Sequence, residues 1–341
     1  MRRRRPKALI VMSAVLFVLP AGQSGASSDC RTNDRSLGNL QEWAQESRNA
    51  MLEPVIQRLK ARGFVCLNSA RDPNSARRCV GKIPGYPKKV AVYIPVKYPI
   101  DQTDPTVVTH LQGDAVDASF EGTLARYRLG DELHRSGSDK LLVVPESINK
   151  CDTYREHLST GEQFNAFQNQ LKGLFQEVGL FRKDPELRGI TRELTGHSRA
   201  YLPIGNILRN ACGPGVSASS GSPCVQLKQV ALFDSIYCGA RNRLDSNESA
   251  PRGSFNENAS CQGLHRFAKD HPPRLRSYYR EGSQTDIGTK LILPKRDPKH
   301  EAAGGACTGR FPLKPAVHHL SVMNGNFARA LAEDFSTACA N

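Results

Sequence analysis

The chain has 341 residues, is 39% hydrophobic and 23% charged, and carries a formal charge of +14 at neutral pH. That length can bury a large core, and with no internal repeat one elaborated domain is expected rather than two equal ones. The positive balance favours anionic partners, but the basic residues are scattered and show no Lys/Arg–aromatic interleaving or nucleic-acid motif, so a specific nucleic-acid partner is not expected.

The N-terminus reads Met-Arg-Arg-Arg-Arg-Pro-Lys and then runs apolar from Ala8 to Ala21. A basic stub before a short apolar run is the layout of a secretory signal peptide. The run is shorter than the roughly 20 residues that span a bilayer. Ser24-Gly25-Ala26 offers a cleavage site after Ala26. An uncleaved anchor is the alternative, and no Leu-x-x-Cys lipobox surrounds Cys30. Residues 1–26 carry five Arg and Lys residues and no acid, so their removal takes +14 to about +9. The mature chain is expected to have no transmembrane segment and to reside in a periplasm or outside the cell. Asn247-Glu-Ser249 and Asn258-Ala-Ser260 match glycosylation acceptors, relevant only in a eukaryotic secretory host.

The 10 cysteines are Cys30, Cys66, Cys79, Cys151, Cys212, Cys224, Cys238, Cys261, Cys307 and Cys339. An even count in an exported chain predicts disulfides. Cys212 and Cys224 bracket a Gly/Ser/Pro-rich loop and are a candidate pair. No Cys-x-x-Cys occurs, which argues against a zinc ribbon or a thioredoxin-like site.

In chain order, Leu40 to Arg62 reads as a helix from its apolar period, with Pro54 as a candidate break and Gly63 at the C-cap. Residues 27–88 are expected to form a helical, disulfide-linked extension, and residues 89–341 the main domain. Strands are predicted at Lys89–Pro95, Pro105–His110, Lys140–Pro145, Ile190–Thr195, Val230–Asp234 and Leu275–Arg280. Helices are predicted at Glu162–Val178, Ala200–Asn210, Phe255–Lys269 and Asn326–Glu333. Arg241–Ser254 and Lys295–Gly309 read as loops. Strands alternating with helices predict an α/β fold with a mostly parallel sheet.

Gly196-His197-Ser198-Arg199-Ala200 lies between a predicted strand and a predicted helix. A strand–turn–helix arrangement presents the central side chain on a tight elbow, and small residues on either side let the backbone approach. The helix start places N–H groups near developing negative charge. A serine in front of a helix is also a common N-cap, which is the plain structural alternative.

With His110-Leu-Gln-Gly113 upstream, and Asp234 and the pair His318-His319 downstream, the chain resembles the α/β-hydrolase superfamily from about Lys89 to its C-terminal helix. The resemblance implies an α/β-hydrolase-like three-layer sandwich and a nucleophile–acid–histidine order along the chain. Two departures stand out: Ala200 replaces a frequent glycine, and Leu-Gln separates His110 from Gly113. On this resemblance Ser198 is the nucleophile and His318 the base, with His319 the alternative. Asp234 is the orienting acid, at the end of its strand; Asp286 and Glu281, after the following strand, are the alternatives. Backbone N–H groups of Arg199 and of Leu111 or Gln112 would form the oxyanion site. His197, next to the serine, is expected to pack beside the elbow.

The leading reading is an exported serine hydrolase that cleaves an ester, amide or related acyl bond through an acyl-serine intermediate, with no cofactor. Its partner would be an acyl-bearing small molecule, lipid, peptide or envelope polymer. A non-catalytic secreted or envelope binding protein on the same scaffold is the alternative. A metal enzyme would need convergence among His110, His197, His318, His319, Asp114 and Asp234; no His-x-x-x-His spacing supports one.

Overall fold

The computed structural model describes residues 50–68, 76–113, 119–147, 154, 157–212, 226–238, 257–271, 274–293 and 310–332. The expected signal peptide, the two predicted loops, Asp114, Asn247, Cys30, Cys151, Cys224, Cys307 and Cys339 lie outside these residues.

Among the described residues the strands are β1 (Val65–Asn68), β2 (Ala76–Lys82), β3 (Lys89–Pro95), β4 (Thr106–Leu111), β5 (Leu141–Pro145), β6 (Thr191–His197), β7 (Leu227–Phe233), β8 (Leu275–Arg280) and β9 (Arg310–Leu313). They form a single sheet in the order β1-β2-β3-β5-β4-β6-β7-β8-β9. The first three strands and the β3–β5 junction are antiparallel; every later pairing is parallel. β1 and β2 belong to the segment read from sequence as an extension, yet they continue the sheet.

The period of two along the strands sorts side chains to two faces. In β3, Val90, Val92 and Ile94 enter one apolar core, while Ala91 and Tyr93 enter the other. β5 divides likewise, Leu141 and Val143 against Leu142 and Val144. Two buried faces explain why Leu141–Pro145 reads as a continuous apolar run.

Helices cover both faces, giving a three-layer α/β sandwich around a mostly parallel central sheet. On the first face lie α1 (residues 50–61), α4 (Gly161–Val178), α5 (Tyr201–Ala211) and α6 (Glu257–Asp270). On the second lie α2 (Phe120–Tyr127), α3 (Leu129–Arg135) and α8 (Asn326–Ala332). The remaining helix, α7 (Gln284–Ile292), packs on β8. α1 keeps Leu52, Val55, Ile56 and Leu59 inward at the expected spacing and continues through Pro54. α4 starts at a capping box between Thr160 and Gln163 and stops at Gly179, whose φ of 82° favours glycine.

β6 holds two buried charged residues, Arg192 and Glu193. Glu193 is paired with Lys140 at 2.8 Å and also accepts from Gln229 at 2.8 Å. Arg192 donates to Asn165 at 3.1 Å. Both charges are therefore hydrogen-bonded, the condition under which ionised groups persist inside a fold.

Disulfides join Cys66 to Cys79 across β1 and β2, and Cys238 to Cys261, tying the segment after β7 to α6. Cys212 is also disulfide-bonded.

Candidate active site

The parallel strands β4, β6, β7 and β8 deliver their C-terminal ends to one edge of the sheet, the usual position of a ligand crevice in an open α/β sheet. Leu111 and Gly113, Ser198, Asp234 and Arg280 lie at or just beyond these four ends.

Ser198 follows β6 directly, with φ of 57°. A left-handed non-glycine residue between a strand and a helix is strained, and such strain collects at functional sites. A 3₁₀ turn over Ser198–Ala200 leads into α5. The residues flanking the serine are small for a visible reason. A methyl group on Gly196 would stand 2.6 Å from Ile204 Cδ1 and 2.8 Å from Ala200 Cβ. The alanine at position 200 therefore fits, provided position 196 stays glycine.

Gly113 completes the elbow. A Cβ there would lie 2.6 Å from Ser198 Cβ and 2.8 Å from the Arg199 amide nitrogen. The segment after β4 thus abuts the N–H expected as one oxyanion donor. Leu111 or Gln112 is expected to supply the other donor. The Gln112 N–H already donates to the Tyr154 hydroxyl at 3.2 Å. Leu111 is the last residue of β4, paired in register with Gly196. Gly113 is the residue of this segment that reaches the serine. His110 stays in β4, fully buried against Tyr127 and Phe327, with Nδ1 2.9 Å from the Thr195 hydroxyl. Burial lowers its pKa to about 3, so it is a neutral core residue.

Asp234 comes immediately after β7, with φ of 42° and no exposed surface. Its Oδ2 accepts from His319 Nδ1 at 2.5 Å and from Arg280 Nε at 2.7 Å. Its Oδ1 accepts from the Thr285 hydroxyl. Burial alone would raise this carboxyl's pKa. The hydrogen bonds from His319 and Thr285 and the charge of Arg280 outweigh burial and hold it below its ordinary value. Asp234 is therefore ionised at neutral pH. A carboxylate only accepts, so His319 turns its Nδ1–H toward Asp234.

His319, rather than His318, bonds to Asp234. His318 is exposed, and its carbonyl accepts from the Ser321 N–H at 2.8 Å in the turn that follows. The two alternative acids are occupied elsewhere. Glu281 is exposed at the end of β8. Asp286 lies in the first turn of α7, where it accepts from the Gly282 N–H at 3.2 Å and from Lys290 at 2.8 Å.

The Ser198 hydroxyl makes no hydrogen bond to His319 in this arrangement, although the His197 ring beside it lies 4.4 Å from the His319 ring. The Ser198 carbonyl accepts from the Ser235 hydroxyl, tying the elbow to the residue after Asp234. Such distances often close only when substrate is bound. Chemically, the edge offers a strained serine, a buried carboxylate and an imidazole oriented by it. Among the described residues no group of three His, Cys, Asp or Glu side chains could hold a metal ion.

Three participants carry no local signature in the sequence. Arg280 ends its strand among ordinary polar neighbours. Thr285 lies within a helix start, and Tyr154 falls outside every element predicted from the sequence. Only a partner for Asp234 could have been sought, and tertiary contact alone selects which.

No protein-family model matches the chain, and no curated protein does. Several solved structures are similar. TT1662 from Thermus thermophilus is 14% identical, with 78% of this chain and 99% of that one covered at a TM-score of 0.46. An esterase from Pyrobaculum calidifontis is 12% identical, with 87% and 93% covered at 0.43. The feruloyl esterase module from Clostridium thermocellum is 10% identical, with 80% and 94% covered at 0.46. A likeness of this size says nothing of what the present chain binds.

Proposed function

We propose that this chain is a serine hydrolase acting on an acyl ester or a related acyl bond in an extracytoplasmic space. The observation that carries the reading is the His319–Asp234 bond of 2.5 Å at the same sheet edge as the strained Ser198.

In this reading His319 Nε2 takes the Ser198 proton as Oγ attacks the acyl carbon. The negative charge that develops on the acyl oxygen is met by the Arg199 N–H, with a further donor from the chain near Gly113. The imidazolium, held by Asp234, protonates the leaving group, and an acyl-Ser198 ester remains. Water, deprotonated by His319, then releases the acid and restores the serine. The reaction requires a Ser198–His319 hydrogen bond to form first. The disulfides and the N-terminal sequence support export.

The specific test is steady-state hydrolysis of a short-chain chromogenic ester by the oxidised protein and by His319→Ala and His318→Ala. His319→Ala should lower kcat by about 10³-fold or more, with His318→Ala within a few-fold of the parent. Equal losses in both variants, or hydrolysis unaffected by either, would remove His319 from the mechanism.

Non-catalytic binding is the second reading, favoured by the missing Ser198–His319 hydrogen bond. It expects no acyl turnover from a folded protein.

A further inference from the structure

His197 is a buried titratable group that the reaction above leaves without a task. It ends β6, adjacent to Ser198, and is 1% exposed. Its ring makes two polar contacts. Nε2 lies 3.1 Å from the main-chain carbonyl oxygen of His319, and Nδ1 lies 2.9 Å from the Tyr127 hydroxyl. The rings of His197 and His319 also pack with centroids 4.4 Å apart at an interplanar angle of 36°.

The chemistry of the partners fixes the proton. A carbonyl oxygen only accepts, so Nε2 must carry the hydrogen. A neutral imidazole then presents a lone pair at Nδ1, and the Tyr127 hydroxyl donates to it. Burial is the main cause that pushes His197 down to about 3, with the nearby His319 adding to it. The ring is therefore neutral across the working pH range, and its tautomer is set. Tyr127 closes α2, whose opposite end is capped by the Ser119 side chain. The contacts thus run from α2, through His197, to the backbone of His319 and on through its ring to Asp234.

We propose that His197 is a positioning residue for the base: its Nε2–H, held by Tyr127, pins the His319 main chain so that the imidazole is aimed at Ser198. Asp234 fixes the ring's rotation and tautomer, but one hydrogen bond at Nδ1 leaves the base of the side chain free to shift. The bond from His197 restrains that base. His319 begins a 3₁₀ turn that follows a loop, so the restraint comes from outside its own element.

This inference rests on the hydrolase reading, and its test separates the two. His197→Phe keeps an aromatic ring and loses the donor. His197→Gln keeps an amide N–H where Nε2 stands. kcat and KM on a short-chain ester, and the rate of labelling by a serine-directed phosphonate, are measured beside thermal unfolding. His197→Phe should lower kcat and labelling ten- to a hundred-fold with KM changed less than threefold, as for a misplaced base. His197→Gln should recover most of the loss, and Tyr127→Phe should fall between. Parent-like kcat in a folded His197→Phe, or a loss that Gln does not repair, overturns the proposal. If the parent itself is neither labelled nor active, the hydrolase reading fails, and the strut is still decided by long-range ¹H–¹⁵N spectra of the native protein. His197 should appear as a neutral Nε2–H tautomer at pH about 6. The Nδ1–H tautomer or an imidazolium at that pH overturns the proposal even if every variant fails to fold.

Discussion

Asp234 is the residue on which the candidate site turns. A carboxylate with no exposed surface tolerates ionisation only if donors replace water, and three side chains here supply them. A group whose folded pKa lies below its unfolded value stabilises the fold above the unfolded value and loses that contribution as pH falls through the folded one. Asp234 is depressed from 3.8, so its contribution is complete above that value and disappears below it. Thermal unfolding of the parent should therefore lose part of its midpoint as pH drops from about 5 toward 2, beyond what Asp234→Asn loses over the same range. Parallel pH curves for the two proteins would mean that this carboxylate is not held ionised by its partners. Asp234 and Ser198 could be singled out in the sequence because Asp234 closes a clean strand and Ser198 stands in a Gly-His-Ser-Arg-Ala turn between a predicted strand and a predicted helix. The choice between His318 and His319 could not be made there. Adjacent side chains leave the backbone in different directions, and only the arrival of Asp234 from β7 selects one.

At the scale of elements, α5 matters most, since it begins at the elbow and carries its orientation. It crosses α6 at very close range. A Cβ on Gly205 would stand 2.2 Å from the Ser260 carbonyl oxygen, and one on Gly263 would stand 2.0 Å from the Gly205 carbonyl oxygen. Ser260 also donates its hydroxyl to the Leu202 carbonyl at 2.9 Å. Both obstacles are backbone, so relief requires the helices to separate. Gly205→Ala should cost about 1–3 kcal/mol of unfolding free energy, read by denaturant titration, despite alanine's better helix propensity. A neutral or stabilising result would show that the two helices have room to move. The longer elements were readable from period and composition. Gly161–Val178 and Leu275–Arg280 lie within a residue of their expected bounds or on them. α2 and α3 were not anticipated. They have 8 and 7 residues, joined through Arg128 in a left-handed conformation with φ of 50°. Helices that short draw their stability from packing, here on the β3–β5 face, more than from local sequence. β1 and β9 have four residues each, too few to establish a period.

For the whole molecule, topology explains why residues distant in sequence meet at one sheet edge. Ser198, Asp234 and His319 are separated by scores of residues, yet β6 and β7 are parallel neighbours whose ends lie side by side. The return of the chain after β9 brings His319 to that edge. The Cys238–Cys261 bond then fastens the segment just after Asp234 to α6, which packs on α5 behind the elbow. Local spacing announces none of these closures; they follow from strand order. The disulfides make the oxidised protein the proper one to assay. The most direct measurement is reaction of that protein with a serine-directed phosphonate, read by intact mass and peptide mapping, beside a Ser198→Ala control. The account expects one adduct per chain, mapped to Ser198 and absent from the control. A demonstrably folded protein that stays unlabelled by large and small probes alike, or that is labelled equally with Ser198 replaced, would contradict it.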